Sequence, residues 1–398
     1  MGAKPLRIAI ASSGLGHIYR GVESWAADTA AALKRRGQDV ALFQGAGQPA
    51  EDWQHHLPCY VRTSREAHAI STWARRFGGW RLGLGSPVQV EQTTFAWRLW
   101  WRIRRGFDIL HVQEPLVALW MDRLYRLGLS RPRVILGHGT EEEPQFLRRL
   151  TFLQHLAPHY HQEWEKVRPP WQLSFAIPNF IDTAWFCPGD PRAARASWGL
   201  PQGAFTVLCV AAIRKYHKRI DFLVHEFAGF RESSGGQALL LVAGGRESDT
   251  AEVVELGRRL LGDQARFLVD VPRSKMPSLY RTADVFALTS LNEMLGIAVL
   301  EAAACALPIL CHHTPVLKWV AGPGGLPADL SQPGVLAGLL TRLENDSALR
   351  QRLSQAARSY AEENFSEPVV IRQILAMYEQ VMAAPRRRRR VATSLAGA

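Results

Sequence analysis

The residues best suited to chemistry lie in Ser290-Leu291-Asn292-Glu293-Met294-Leu295-Gly296-Ile297-Ala298-Val299-Leu300-Glu301-Ala302. This stretch follows the apolar run Val285–Leu288 and opens a helical pattern. Glu293 therefore falls in the connecting loop, and Glu301 about two turns further on. Backbone N–H groups of 294–297 would be unsatisfied donors at the positive end of a helix, so Leu295 and Gly296 would offer their main chain to an anion. Carboxylates beside such a site suit sugar or ribose hydroxyls, from which they accept hydrogen bonds. The alternative is a first-turn charge and a solvated face. Glu301 speaks against that, because it stands between Ile297–Leu300 and Ala302–Ala304, where a carboxylate needs a partner. Ile213-Arg214-Lys215-Tyr216-His217-Lys218-Arg219 carries five residues that can be cationic, directly after another apolar run. Arg supplies a fork and Lys a point charge for a diphosphate, whereas the bland reading is a solvated basic loop.

Two further sites are weaker. Ser12-Ser13-Gly14-Leu15-Gly16-His17 follows the first apolar run, and Gly16 would let the backbone approach a ligand closely. It lacks the third glycine of a dinucleotide fingerprint, and Gln44-Gly45 stands where a ribose-binding acid would be, so a dinucleotide oxidoreductase fits poorly. Gly137-His138-Gly139 ends the run Val134–Leu136 and places an imidazole where a cleft should open; a loop histidine bonded to backbone is the alternative.

The elements that must position these residues alternate as in α/β proteins with parallel, doubly wound sheets. In the first half, Arg7–Ser12, Asp39–Phe43, Ile109–Val112 and Val134–Leu136 are predicted strands, and Val22–Arg36 a helix ended by Gly37. In the second half the predicted strands are Phe205–Ala211, Ala238–Ala243, Arg266–Leu268, Val285–Leu288 and Pro308–Cys311. Ile220–Arg231 and Ala251–Leu261 are predicted helices. From Pro333 to Met382 the pattern is helical. Clusters of Pro, Gly and Asp put the domain boundary near Arg168–Pro170 or Phe186–Arg192. Two similar sheets would then face each other across a cleft at their strands' carboxyl ends.

With these residues in view, the chain resembles a retaining glycosyltransferase of family 4, over about residues 6–382. Glu293-x7-Glu301, followed by Ala302-Ala303-Ala304-Cys305-Ala306-Leu307-Pro308, is close to the family's E-A-x-A-C-G-x-P. Ile177-Pro178-Asn179-Phe180-Ile181-Asp182 resembles its I-P-N-G-V-D, and Leu279-Tyr280-x-x-Ala283-Asp284-Val285-Phe286 its L-Y-x-x-A-D-V-F. Arg219, Phe180 and Ala306 stand where the family has glycine. The resemblance implies the GT-B architecture of two Rossmann-like domains. It divides the chain into an acceptor-binding domain (1–170), a nucleotide-sugar-binding domain (171–365), a helix packing back on the first domain (366–384) and a disordered basic tail (385–398). It makes Arg214 and Lys218 the holders of the donor diphosphate and Glu301 the partner of the ribose. Glu293 would hold sugar hydroxyls at the reacting carbon, and His138 would be the catalytic histidine of the N-terminal domain. The base would lie near Val271-Pro272. Gly16, Leu295 and Gly296 complete the donor-binding set. The implied reaction moves a sugar from a nucleotide diphosphate to an acceptor hydroxyl with retention, with no cofactor. An epimerase of the same fold and a non-catalytic basic binding protein are the alternatives.

Composition bounds the rest. The chain has 398 residues, 47% hydrophobic and 21% charged, which excludes disorder over its length and suits two domains. Five scattered cysteines without a C-x-x-C pair argue against a disulfide framework or structural zinc. No D-x-D sequence offers a carboxylate pair to a magnesium ion, so protein cations would neutralise the phosphates. No signal-peptide layout and no long apolar run is apparent, so a cytoplasmic protein is expected, attached at most peripherally to the inner face of a membrane.

The net charge of +12 resides in two places: nine arginines against Glu66 and Glu91 between positions 61 and 105, and the run Arg386–Arg390. The first stretch also holds five of the 13 tryptophans. On a helical wheel of Thr93–Arg105, Phe95, Ala96, Trp97, Leu99, Trp100, Trp101 and Ile103 form an arc broader than one sheet face buries. An interfacial helix on anionic lipid would explain it, and so would a core helix of the sheet. A glycan or lipid-linked acceptor is the expected partner. Isolated arginines without interleaved stacking aromatics give no nucleic-acid site.

Overall fold

The computed structural model describes residues 5–18, 21–235 and 237–386. It divides into two compact units, 1–177 with 371–398, and 178–370. That division falls at Ile177/Pro178, between the two positions that composition suggests.

The first unit is built on a seven-stranded parallel sheet of β1 (Arg7–Ser12), β2 (Asp39–Gln44), β3 (Gln54–His56), β4 (Ile109–Val112), β5 (Arg133–His138), β6 (Phe152–His155) and β7 (Leu173–Ala176). Its order is β3-β2-β1-β4-β5-β6-β7. The central strands are buried along their length because helices cover a parallel sheet on both faces. β3, β6 and β7 are additions to the strands predicted from sequence. β3 is three polar residues at the sheet edge, and β6 (Phe-Leu-Gln-His) and β7 (Leu-Ser-Phe-Ala) mix polar with apolar residues, so neither forms a continuous apolar run.

The second unit repeats the plan with β8 (Phe205–Val210), β9 (Ala238–Gly244), β10 (Ala265–Val269), β11 (Val285–Leu288), β12 (Ile309–His312) and β13 (Gly325–Ala328). The order is β10-β9-β8-β11-β12-β13, again all parallel. Both are Rossmann-like sheets, reversing direction beside the first strand of each unit. β13, with a glycine and a proline in four residues, is the one strand of this unit that the sequence pattern hides.

The helix Pro87–Ile103 begins six residues before the wheel drawn for it, at a Ser86 cap whose side chain accepts from Gln89 N. It resolves the broad arc. Phe95, Ala96, Leu99, Trp100 and Ile103 are buried in the core, and Trp97 and Trp101 are 56% and 52% exposed. The core reading therefore holds for one side of the helix, and the other side leaves two tryptophans exposed. Glu91, one of the two acids in the basic stretch, is fully buried at the start of that helix.

The last helix, Glu367–Ala383, ends within the first unit. Tyr378 Oη lies 2.9 Å from His111 Nδ1, and Arg133 donates to the carbonyls of Val381 and Ala384. Arg386, expected in a disordered tail, is held: Nη2 donates to the carbonyls of Ser130 and Arg131, and its guanidinium lies over Tyr125. The remaining arginines, 387–390, lie outside the described residues.

Candidate functional site

In the second unit the loop after β8 is fixed by backbone. Ile213 pairs with Arg246 as a parallel bridge, its N–H donates to Gly245 O, and its carbonyl accepts from Thr250 Oγ1. Gly244 is obligatory at this crossing, because a Cβ there would stand 1.7 Å from Ala211 O. Lys215 N donates to Asp249 Oδ2, and the Lys215 side chain is drawn outward to Glu252. The loop then curls back through Arg219 (φ +52°), which enters the helix Ile220–Ser233. Thr289, fully buried after β11, ties this curl to the neighbouring loop by donating to the carbonyls of Lys218 and Arg219.

That tie brings two of the predicted residues together. Lys218 Nζ donates to Glu293 Oε1 at 2.5 Å, both side chains mostly buried. Arg214 Nε is buried with no hydrogen-bond partner among the described residues, as is Ser290 Oγ in the adjoining loop. A guanidinium N–H left without an acceptor costs free energy, and an anionic oxygen is the acceptor that offsets it best.

Gly296 enters the helix Ile297–Ala304 at φ +82°, a conformation that L side chains resist, and no side chain caps this end. Leu295 is buried beside it. Glu301 has the partner its position demands: Tyr280 Oη donates to its Oε2 at 2.6 Å. Burial, and then Glu301 itself, push the Tyr280 hydroxyl well above its ordinary range, so it remains a donor. Tyr280 was visible in the L-Y-x-x-A-D motif, yet its role as the carboxylate's holder was not, because the two residues meet only through the fold.

In the first unit the loop after β1 hangs from two buried carboxylates. Glu114 accepts from the N–H of Ser13 and Gly14 and from the hydroxyls of Ser12 and Ser13. Glu91 accepts from Ser13 Oγ, from Arg62 and from His17 Nε2. Burial pushes the Glu114 carboxyl up to about 7, against the pull of its backbone donors. Gly16 is required by close approach: at φ +98°, a Cβ there would meet the backbone Ala46 O at 2.1 Å, whereas one at Gly14 would meet the movable end of the Glu23 side chain. Sequence reasoning found the glycines and missed Glu91 and Glu114, which lie some eighty to a hundred positions away.

His138 is the last residue of β5, at the strand end expected from sequence, and is 7% exposed. Its Nδ1 lies 3.4 Å from Nδ1 of His155, its register partner on β6, and its Nε2 3.5 Å from Glu142. Burial lowers its pKa to about 4, so the ring is neutral at pH 7. Gly137 is needed because a Cβ there would crowd Gln113.

Residues 190–360 match the family described as glycosyl transferases group 1. A D-inositol 3-phosphate glycosyltransferase of Corynebacterium efficiens is 28% identical over 92% of this chain and 91% of its own length. One of Salinispora arenicola is 32% identical over 51% of this chain. The chain spans about half the length of the two Salinispora relatives it matches. Among solved structures, sucrose-phosphate synthase of Thermosynechococcus elongatus superposes with TM-score 0.67 over 96% of this chain and all of its own, at 20% identity. The Anabaena HepE protein in complex with UDP-glucose superposes with TM-score 0.71 over 94% of this chain and all of its own, at 14% identity.

Proposed function

The chain has the GT-B fold and its residues 190–360 belong to the glycosyl transferases group 1 family; from that premise we propose that it transfers a sugar from a nucleotide diphosphate to an acceptor hydroxyl, retaining the anomeric configuration. The observation that carries the reading is Arg214, whose buried Nε has no acceptor among the described residues, in the same loop as Lys218. These two cations hold the diphosphate, and the loop leading to Gly296, with Leu295, presents backbone to it. Glu301, oriented by Tyr280, accepts from the ribose, and the base lies near Val271-Pro272. Glu293 accepts from the sugar hydroxyls. UDP is the first nucleotide to test, because a structure of the same fold was solved with UDP-glucose.

The chemistry needs little covalent help from the protein. The bond from the anomeric carbon to the leaving phosphate oxygen breaks, and a bond to the acceptor oxygen forms on the same face. The acceptor proton passes to the leaving diphosphate. Arg214 and Lys218 stabilise the charge that develops there, and a fixed site spares the orientation cost in the transition state. The acceptor is a glycan or a lipid-linked hydroxyl. Among the described residues no helix is long and apolar enough to cross a membrane.

The test incubates UDP- and GDP-sugars with an acceptor panel that includes D-inositol 3-phosphate and lipid-linked glycans, and follows the product's anomeric proton by NMR. Retained configuration supports the reading. Inversion, or conversion of the donor sugar with no acceptor present, overturns it.

A further inference from the structure

A groove of about 1300 Å³ opens in the first unit, above the usual range of about 300–1,000 Å³ for a small-molecule pocket. Its walls come from the segment after β3 (Leu57, Cys59), from Leu84, from the outer side of the helix Pro87–Ile103 (Trp97, Trp101), and from Trp120 on the helix Pro115–Arg126. The cause is local. The helix Pro87–Ile103 spends one side, Phe95, Leu99 and Ile103, on the sheet and leaves its two remaining indoles outside. Trp97 and Trp101 pack edge to face with centroids 6.3 Å apart, and the Arg104 guanidinium lies 4.1 Å over Trp101, which steadies that ring.

The threonine hydroxyls and the Trp120 N–H within the groove are already used. Thr93 Oγ1 donates to Gly83 O and accepts from Trp120 Nε1, and Thr94 Oγ1 donates to Val90 O. The Cys59 thiol, pushed up to about 12 chiefly by burial, is uncharged. Charge appears at the edge alone: Arg98 and Arg102, both exposed, line the groove from the same helix. An apolar interior with two cations at its mouth complements an amphiphile with a hydrocarbon chain and an anionic head. The adjoining surface repeats that chemistry. Trp73, Phe77, Trp80 and Leu82 are each at least 60% exposed, interleaved with the exposed Arg75, Arg76 and Arg81. Indoles and arginines side by side suit a headgroup layer.

We propose that this groove takes one hydrocarbon chain of an anionic membrane phospholipid, its phosphate resting on Arg98 and Arg102 while Trp73, Phe77 and Trp80 sit at headgroup depth. The proposal deepens the reading of an enzyme that works at a membrane surface, but it is independent of the donor site.

The experiment uses the full chain with vesicles of phosphatidylcholine alone or mixed with phosphatidylglycerol, part of the latter carrying a mid-chain diazirine. Expected are co-flotation with the anionic vesicles only and photolabelled peptides from 57–60, 93–102 and 120–124. In Arg98→Glu/Arg102→Glu flotation falls at least about tenfold. In Trp97→Ala/Trp101→Ala, whose indoles are exposed and whose fold is checked by circular dichroism, the groove label is lost, whereas Trp73→Ala keeps it. Equal flotation with neutral vesicles overturns the proposal. So does label spread over 65–82 with none in the groove, or a concentration-dependent dimer that shields the groove without lipid. A UDP thermal shift on the same preparation reads the donor site separately: losing it while flotation persists sinks the enzymatic reading alone, and the reverse sinks the groove alone.

Discussion

Lys218 and Glu293 neutralise one another at 2.5 Å, and any diphosphate that reaches Lys218 competes with that carboxylate. Two opposite effects follow from the one pair. Lys218→Ala should lower the transfer rate by about 10²-fold or more, the usual cost of removing a group that stabilises developing charge. Glu293→Gln should free the ammonium, tightening UDP binding several-fold while transfer falls, because the sugar loses its hydrogen-bond acceptor. Initial rates together with calorimetric affinities check both, and a Glu293→Gln variant that binds UDP more weakly than wild type would remove the competition. Tyr280→Phe removes the hydrogen bond from Tyr280 to Glu301. A hydrogen bond to a charged group is worth about 1.5–3 kcal/mol, so donor affinity should drop about tenfold with the fold intact, read as a raised donor KM. Glu301 shows what was legible at this scale: a carboxylate set in an apolar helical run announced that it needed a partner, while the identity of the partner required the fold.

At the scale of elements, two of the three positions where this chain departs from the family's glycines retain the glycine conformation, and Phe180 does not. Arg219 has φ +52° and Ala306 φ +59°. The left-handed region costs a residue with a Cβ about 1–2 kcal/mol. Arg219 offsets this with a hydrogen bond to Leu330 O and a stack over Phe222, and Ala306 has no side chain with which to do so. Ala306→Gly should therefore stabilise the protein by about 1 kcal/mol in urea unfolding, and a loss of stability would show the turn to be unstrained. Gly16→Ala should do the reverse, since its Cβ meets the Ala46 carbonyl and not a flexible side chain. The sheets were legible because their central strands are continuous apolar runs; the edge strands β3 and β13 were not, having too little buried face to imprint a pattern. The helix Pro87–Ile103 was read as either core or interfacial because a wheel shows an arc without showing how much of it a sheet can cover. The sheet takes Phe95, Leu99 and Ile103, Trp100 is kept in by its Nε1 donating to Leu129 O, and Trp97 and Trp101 are left over.

Across the whole molecule the net charge says little about the reaction, and the buried titrating groups say more about stability. His111, His138 and His155 lie in the first unit with pKa values lowered by burial to about 3, 4 and 3. Folding keeps them neutral, so the stability they contribute is full above pH 6.5 and is lost as pH falls through their folded values. Glu114, raised to about 7 from 4.5, acts in the opposite sense: its contribution is full below pH 4.5 and is lost as pH rises through 7. Three histidines outweigh one carboxyl, so Tm should fall between pH 6.5 and 4, and His155→Gln should reduce the slope by the uptake of one proton. An unchanged slope would place that histidine's titration elsewhere. The GT-B plan was readable across most of the chain because both units repeat one order of strands, whereas the carboxylates that suspend the glycine loop come from distant segments and carry no local signature. The central claim, a nucleotide-diphosphate site built on Arg214, Lys218, Glu293 and Glu301, is tested most directly by calorimetric titration of UDP and GDP into wild type, Lys218→Ala and Glu301→Ala. One nucleotide should bind wild type and lose at least about tenfold in each variant; binding of neither, or undiminished binding by both variants, would contradict it.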